Sequence, residues 1–498
     1  MPASRRSRHS DHFEIRGGAC RASMRDHARI CRVMNQFIRQ LTGVRFVAAF
    51  WVVLYHYQPA LAAAGLLFPL LHEVLRVGSL GVDLFFTLSG FILAHTYLTK
   101  LGPKLQGKPS LNFLWLRLAR IYPVHFVMLN VAGLAVVAAS LAGSDDARAR
   151  AWLNPIDYLK QLFLVQEWGS DPSRGWNFVA WSLSMEWLAY LFFPFVALVL
   201  WRVKDRLSAP ALAALAFLCL TPLLWIGFTR TNDPFLTQGW ASSIRVLTEF
   251  VAGAFVYLVV RKLTMNGDPS RNVARGALVM TWAIPLAIVI ISIVLGNIGS
   301  LQFPGLPNEA PRLYVIIVPF LVAWIGALAL TNRGPTKFLS TRQLVLGGFI
   351  SYSLYMVHLV WYGLWRAAMS AVGIDGGPLY LISLVGLIGM AVVLAYLMWR
   401  FVEEPAREWM RSKIGAKKKP IEEASMEDDG TTPTAVPSGA PSTAADASDA
   451  EAASTPTVES TLPLSTKDAA AADFARTNET PPVEVAPDTE PTPKPPSD

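Results

Sequence analysis

An all-α polytopic membrane protein with about ten transmembrane helices and both termini cytoplasmic is the fold class that this sequence predicts. Three observations carry it. The 498 residues are 53% hydrophobic and only 16% charged, with a mean hydropathy of +0.37, a balance foreign to soluble domains. Ten stretches are long and apolar enough to cross a bilayer. Lysine and arginine gather in alternate loops between them, the pattern that orients membrane proteins.

The spans fall at 41–57, 79–98, 119–140, 178–200, 210–228, 241–260, 276–296, 313–331, 345–369 and 379–401. Lys100, Lys104, Lys108, Arg117 and Arg120 separate the second from the third, and Arg202, Lys204 and Arg206 follow the fourth. Arg261, Lys262, Arg271 and Arg275 follow the sixth, Arg333, Lys337 and Arg342 the eighth, and Arg400, Arg407, Arg411 and Lys413 the tenth. The loops 296–311 and 371–378 hold no lysine or arginine. These basic loops are cytoplasmic, and an even number of spans returns the chain to the side on which it began.

Three regions follow: a basic N-terminal segment at 1–36, a transmembrane domain at 37–412 and a tail at 413–498. The first segment lacks the apolar core of a signal peptide. It is expected to be a disordered cytoplasmic tail or to precede the true start, for which Met34 is well placed. From Pro420 onward, Pro, Ala, Thr and Ser predominate, with sixteen acidic residues against Lys467, Arg476 and Lys494. Such a segment cannot bury a core and is expected to be disordered and cytoplasmic. The formal net charge is +8, so residues 1–419 carry +21. That excess reads as topology and anion binding. Nucleic acid is not an expected partner, because no phosphate-binding glycine loop or stacking platform accompanies the charge. Cys20, Cys31 and Cys219 form no disulfide or metal pattern, and the His9 and His12 pair lies in the doubtful first segment, so no metal is expected.

The first span carries Arg45 and His56. Eleven helical residues return almost to the same face and climb about 16 Å. A fixed cation then sits near the cytoplasmic edge with a titratable ring above it, and ionisable groups within a bilayer mark pathways or reaction centres. His56 is the candidate general base, since imidazole accepts and returns protons near neutrality. The second span enters from the opposite side, so Asp83 lies at about the depth of His56, where a carboxylate would fix the imidazole tautomer. Ser89 and Gly90, two turns deeper, read as packing residues.

Arg117 and Arg120 share a face at the cytoplasmic start of the third span, where guanidinium groups hold phosphates by paired hydrogen bonds. Ser184 and Glu186 lie in the fourth span. Arg245 and Glu249 have ion-pair spacing in the sixth, Tyr355 and His358 share a face of the ninth, and Glu403 closes the tenth. Some of these must line a wet cavity. The outer segment 141–177 contains a stretch from Asn154 to Trp168 that predicts an interfacial amphipathic helix with Trp168 at headgroup level.

In this order the motifs resemble the acyltransferase-3 family of bacterial inner-membrane O-acyltransferases acting on cell-surface polysaccharides. The matching blocks are Arg45 with His56, Phe85-Phe86 with Ser89-Gly90, Arg117 with Arg120, Ser182-Leu183-Ser184 with Glu186, Ser351 through Tyr355 with His358, and Val402-Glu403 with Pro405. They cover roughly 37–412. The resemblance implies a multi-pass inner-membrane enzyme. It moves an acyl group, most often acetyl, from cytoplasmic acyl-CoA to a hydroxyl of a glycan or lipid-linked glycan. Lipopolysaccharide O-antigen, exopolysaccharide and Nod-factor sugars are typical acceptors. No fused esterase-like domain is expected after the last span, and homo-oligomerisation stays open.

The residues fit that chemistry. Arg45, Arg117 and Arg120 would hold the CoA phosphates, with Glu403 organising them. His56, oriented by Asp83, would act as the base, and Ser184, Glu186, Tyr355 and His358 would line the substrate cavity. Direct attack and an acyl-enzyme intermediate are both open. A transporter or flippase for a lipid-linked anionic substrate is the competing reading. Ten spans with buried polar residues suit it equally, but no internal repeat is evident.

Overall fold

In a computed structural model of the chain, the described residues are 39–141, 153–169, 175–229, 239–265, 267–301 and 310–415. Contacts divide the chain into Met1–Thr431 and Thr432–Asp498, and every described residue lies in the first unit. The segment 1–36, with His9, His12 and Met34, and all of the tail beyond residue 415 lie outside the described residues.

Among the described residues there are helices and no strand. Eight helical segments are long and apolar enough to cross a membrane: Pro69–Leu101, Gly107–Ala138, Phe178–Val203, Ala209–Phe228, Gly239–Thr264, Arg271–Asn297, Arg342–Ala371 and Gly377–Ser412. Two of the ten predicted spans are helical without joining that set. The first helix, α1 (39–56), is diluted by Arg39, Gln40, Arg45 and His56. The predicted 313–331 appears as a shorter apolar helix, Tyr314–Ala329.

Proline and its substitutes set the ends that matter. Pro59 has no N–H for the Tyr55 carbonyl, and the side-chain amide of Gln58 donates to that oxygen instead at 2.9 Å. The break leaves His56 on the last turn of α1. Two short helices, α2 (Gln58–Ala63) and α3 (Pro69–Arg76), and a 3-10 turn at Gly78–Leu80 then lead into α4 (Gly81–Leu101). The helix α5 (Gly107–Leu141) is followed by α6 (Pro155–Leu162), and Asn154 caps α6 by accepting from Ile156 N at 2.8 Å. Ile156, Leu159 and Phe163 are exposed, which suits an interfacial helix. Trp168 departs from expectation: its indole turns inward and donates to the Ser184 carbonyl at 3.2 Å.

Next come α7 (Trp181–Val203), α8 (Ala209–Leu218) and α9 (Thr221–Thr229). The predicted span 210–228 breaks before Pro222, and the Thr221 hydroxyl donates to the orphaned Leu218 carbonyl at 2.8 Å. Then follow α10 (Gly239–Thr264), α11 (Arg271–Leu301), α12 (Val318–Ala329), the short α13 (Pro335–Leu339), α14 (Arg342–Ala371) and α15 (Gly377–Met398). A π-helical turn, Trp399–Glu403, joins α15 to α16 (Glu404–Ser412). Pro405 supplies no N–H to the Phe401 carbonyl, and Glu404 N–H reaches back five residues to Trp399 O.

Helices meet where glycine removes the side chain. Gly90 lies against the Phe250 carbonyl and Gly253 against the Thr87 carbonyl, so α4 and α10 touch backbone to backbone. Gly81 against the Ala48 carbonyl and Gly348 against the Thr42 carbonyl hold α1 between α4 and α14 in the same way. Such approaches are how helices associate without a hydrophobic drive between them. They fix the rotation of α1 and so the direction of Arg45 and His56.

Candidate active site

Two helices project three arginines into one cavity of about 90 Å³. Arg45 comes from α1, Arg117 and Arg120 from α5, and Ser182, Glu186 and Tyr190 from α7. Phe85 and Ser89 of α4 and Tyr352 and Tyr355 of α14 complete the polar and aromatic lining. The sequence predicts the three arginines at one membrane edge, and the fold brings them into one space.

Their partners differ. Arg120 pairs with Glu403 at 3.3 Å, and the Ser353 hydroxyl donates to the other oxygen of that carboxylate at 2.8 Å. Glu403 is fully buried. The π turn ends at Glu403, which brings its carboxylate to Arg120. Arg117 donates to the Tyr97 hydroxyl at 3.2 Å and lies over the rings of Tyr97 and Tyr190. Tyr190 donates to Glu186, which also lines the cavity. Arg45 lies over the Phe85 ring at 5.9 Å. The Nε atoms of Arg45 and Arg117 are buried and have no hydrogen-bond partner. An unmatched buried donor costs about 1–3 kcal/mol, and the lining carries three guanidinium groups against Glu186 and the buried Glu403. This cavity is suited to an anion that brings its own acceptors.

Tyr355 stands at the far end of the cavity. Ser182 donates to its hydroxyl at 2.9 Å, and the tyrosine donates onward to the Val179 carbonyl at 3.1 Å. Behind it lies a pair of imidazoles. His358 is fully buried, with its Nδ1 2.6 Å from the Tyr355 carbonyl and its Nε2 3.1 Å from His56 Nδ1. A carbonyl only accepts, so His358 Nδ1 carries the proton and Nε2 keeps its lone pair. His56 Nδ1 therefore faces two acceptors, His358 Nε2 and the Val52 carbonyl at 3.0 Å. It donates, which leaves His56 Nε2 as the basic atom. The Tyr57 hydroxyl secures the backbone of this turn by donating to the His358 carbonyl at 3.1 Å.

Three expected positions are corrected. Asp83 does not hold His56; both of its oxygens are taken by Arg245, at 2.7 and 2.5 Å. A buried carboxylate is drawn to the nearest full cation rather than to a neutral ring. Arg245 also lies 3.8 Å from Glu249 and 6.0 Å from the Trp181 ring. Ser184 likewise does not line the cavity. Its hydroxyl accepts from Glu167 N at 3.3 Å and braces the outer segment, while Ser182, two residues earlier, faces inward. His358 was expected in the cavity wall and stands beyond it, against His56.

Tyr97, Tyr190 and Tyr352 went unassigned in the sequence, where a tyrosine in an apolar helix gives no sign of its orientation. Arg245 with Glu249 was visible as a spaced pair, but Asp83, 162 positions away, was not visible as its partner.

No solved structure matches the chain. MdmB of Streptomyces mycarofaciens, an acyltransferase by name, is 30% identical over 64% of this chain and 78% of its own length. SACOL0978 of Staphylococcus aureus (strain COL), an O-acetyltransferase by its provisional name, is 25% identical over 75% of this chain, which spans only 58% of that longer protein. Nodulation protein 10 of Rhizobium leguminosarum bv. viciae is 24% identical over 68% of this chain and 84% of its own length. The profile of the Acyltransferase domain that defines the acyltransferase-3 family matches residues 38–400, the stretch that holds the arginine cavity and the imidazole pair, and the chain belongs to that family.

Proposed function

We propose that this protein is a bacterial inner-membrane acyltransferase that moves an acetyl or related acyl group from cytoplasmic acyl-CoA to a hydroxyl of an extracytoplasmic or lipid-linked glycan. The observation that carries the reading is the juxtaposition of an anion-seeking cavity, built by Arg45, Arg117 and Arg120, with the imidazole pair beyond Tyr355. The topology read from basic loops turns the arginine end toward the cytoplasm, where acyl-CoA is found. Ten spans, with both termini on that side, complete the proposed arrangement. The names of the relatives support acyl and acetyl transfer.

In this reading the CoA phosphates take the unpaired donors of Arg45 and Arg117, while Glu403 holds Arg120 in place. The thioester passes Phe85 and Tyr355 to reach His56. His56 Nε2 accepts the proton of the acceptor hydroxyl as its oxygen attacks the thioester carbonyl. The C–S bond breaks, and the thiolate leaves with the proton that His56 returns.

Sealed vesicles test both chemistry and sidedness. Inside-out vesicles given external radiolabelled acetyl-CoA are expected to label a lumenal glycan, while right-side-out vesicles and inside-out vesicles carrying His56→Ala are not. Equal labelling in both orientations would overturn the placement of the donor site. Labelling by His56→Ala at the wild-type rate would overturn the base.

A further inference from the structure

We infer that His358 is the positioning residue of the reaction: its Nε2 is the acceptor that orients His56 and takes up charge from it during transfer. The inference rests on the acyl-transfer reading above. A base of this kind usually leans on a carboxylate, and the carboxylate nearest in the sequence plan, Asp83, is bound by Arg245 with both oxygens. His56 has instead the Val52 carbonyl of its own helix at 3.0 Å and one side chain from another helix, His358 at 3.1 Å.

The two acceptors are not equivalent. The Val52 carbonyl accepts a hydrogen bond and cannot accept a proton. His358 Nε2 can take the proton itself. When the acceptor hydroxyl gives its proton to His56 Nε2, the Nδ1 proton moves toward His358 Nε2, and the new positive charge spreads over two rings. The far nitrogen, His358 Nδ1, already points its N–H at the Tyr355 carbonyl 2.6 Å away, a partner that strengthens as the ring becomes cationic. As the C–S bond breaks, the sequence reverses: His358 returns the proton to His56 Nδ1, and His56 Nε2 delivers the other to the thiolate. No net charge accumulates.

A neutral partner suits this location. At rest the pair carries no charge, so burying it between α1 and α14 incurs none of the desolvation that a carboxylate would. The ring centroids are 5.0 Å apart and the planes are inclined at 45°, a geometry set by the nitrogen-to-nitrogen contact rather than by stacking. Tyr57 ties the His358 turn to α1 from below. The carbonyl of Tyr355, whose hydroxyl faces the cavity, ends the chain of donors.

The test uses full-length protein in nanodiscs carrying His358→Phe, which keeps a ring of similar size without the acceptor, and His358→Gln, which restores an acceptor oxygen. For His358→Phe, kcat is expected to fall about a hundredfold, with KM for acetyl-CoA within about threefold of wild type. His358→Gln is expected to recover part of that loss, since it can orient His56 but cannot take its proton. A second readout needs no turnover. In nitrogen-15 spectra of the histidine rings, the wild type is expected to show His56 protonated on Nδ1 and coupled across a hydrogen bond to His358, a signature that His358→Phe abolishes. Wild-type kcat in His358→Phe, or equal losses in both variants with unaltered His56 resonances, would overturn the inference. An intact ring-to-ring signature in a wild-type protein that transfers no acyl group would instead overturn the acyltransferase reading.

Discussion

The helices α4 and α15 are both apolar along their membrane lengths, yet they solve opposite problems. The segment containing α4 buries 78% of its apolar window inside the protein, against 22% for the segment containing α15. On α4, Asp83 is answered by Arg245, and Gly90 meets a carbonyl of α10. On α15, Gly386 and Gly389 face open space, and Leu379, Ile382 and Val385 are exposed. The difference teaches where sequence information lies in this fold. On an inner helix each residue is held to a partner, whereas on the outer helix composition suffices, because lipid accepts any apolar side chain. Charges appear where backbones touch.

The largest break in this contrast is expected at the buried ion pair. Arg245→Leu strands Asp83 and Glu249 in the interior, which costs about 3–5 kcal/mol. The expected result is loss of folded protein, read as a fall in the thermal midpoint in detergent. The double variant Asp83→Leu with Arg245→Leu removes both sides of the pair and is expected to recover a large part of the midpoint. Equal instability of single and double variants would show that packing, not charge, is the issue.

Arginine-to-lysine exchanges sharpen the comparison at the site. Arg45→Lys keeps the charge and loses the planar fork. Loss of one charge-assisted hydrogen bond, about 1.5 kcal/mol, is expected to weaken acetyl-CoA binding roughly tenfold. The matched exchange Arg400→Lys, at an exposed residue beyond α15, is expected to leave binding unchanged. Titration calorimetry on the two variants reads the difference directly.

A third comparison sets two glycines side by side, and its outer member carries the smallest expected effect. Gly253→Ala drives a methyl group into the Thr87 carbonyl and is expected to destabilise by about 1–3 kcal/mol. Gly386→Ala meets nothing within 4 Å and is expected to be neutral or stabilising by about 0.5–1 kcal/mol. Thermal midpoints in one detergent measure both, and a reversed order would erase the distinction between inner and outer helices.

The same distinction explains what was legible in the sequence. The existence of most spans could be read from hydropathy, because that signal needs no partner. Arg45 and His56 could be placed on one helix from the sequence, but the fold sets Arg45 in the cavity wall and His56 against His358. The pairs Asp83–Arg245, His56–His358 and Arg120–Glu403 join different helices, and their formation depends on how those helices rotate. Both faces of α4 are apolar, so no stripe announces which side meets α10. Ser182 and Ser184 show the limit well: two residues apart, they are about 200° around the helix from each other, and composition cannot say which one faces the cavity. Glycine contacts such as Gly90 with Phe250 decide that rotation, and a glycine in an apolar run does not name its neighbour.

The π turn at Trp399–Glu403 has a consequence for how this family member can change over evolutionary time. A wider turn holds one residue more than an α-helix would use to cover the same rise. Deleting a residue within it would let the helix regularise with its two sides nearly in phase, since four α-helical steps cover about 400°, close to the angle that the five residues of the wide turn span. Residues such as Phe401, which is 71% exposed, can be exchanged for other apolar types at little cost. Relatives are expected to vary in letters across this turn, and a one-residue gap in an alignment there would mark a chain in which the wide turn has closed into regular α-helix while the helix on either side keeps its facing.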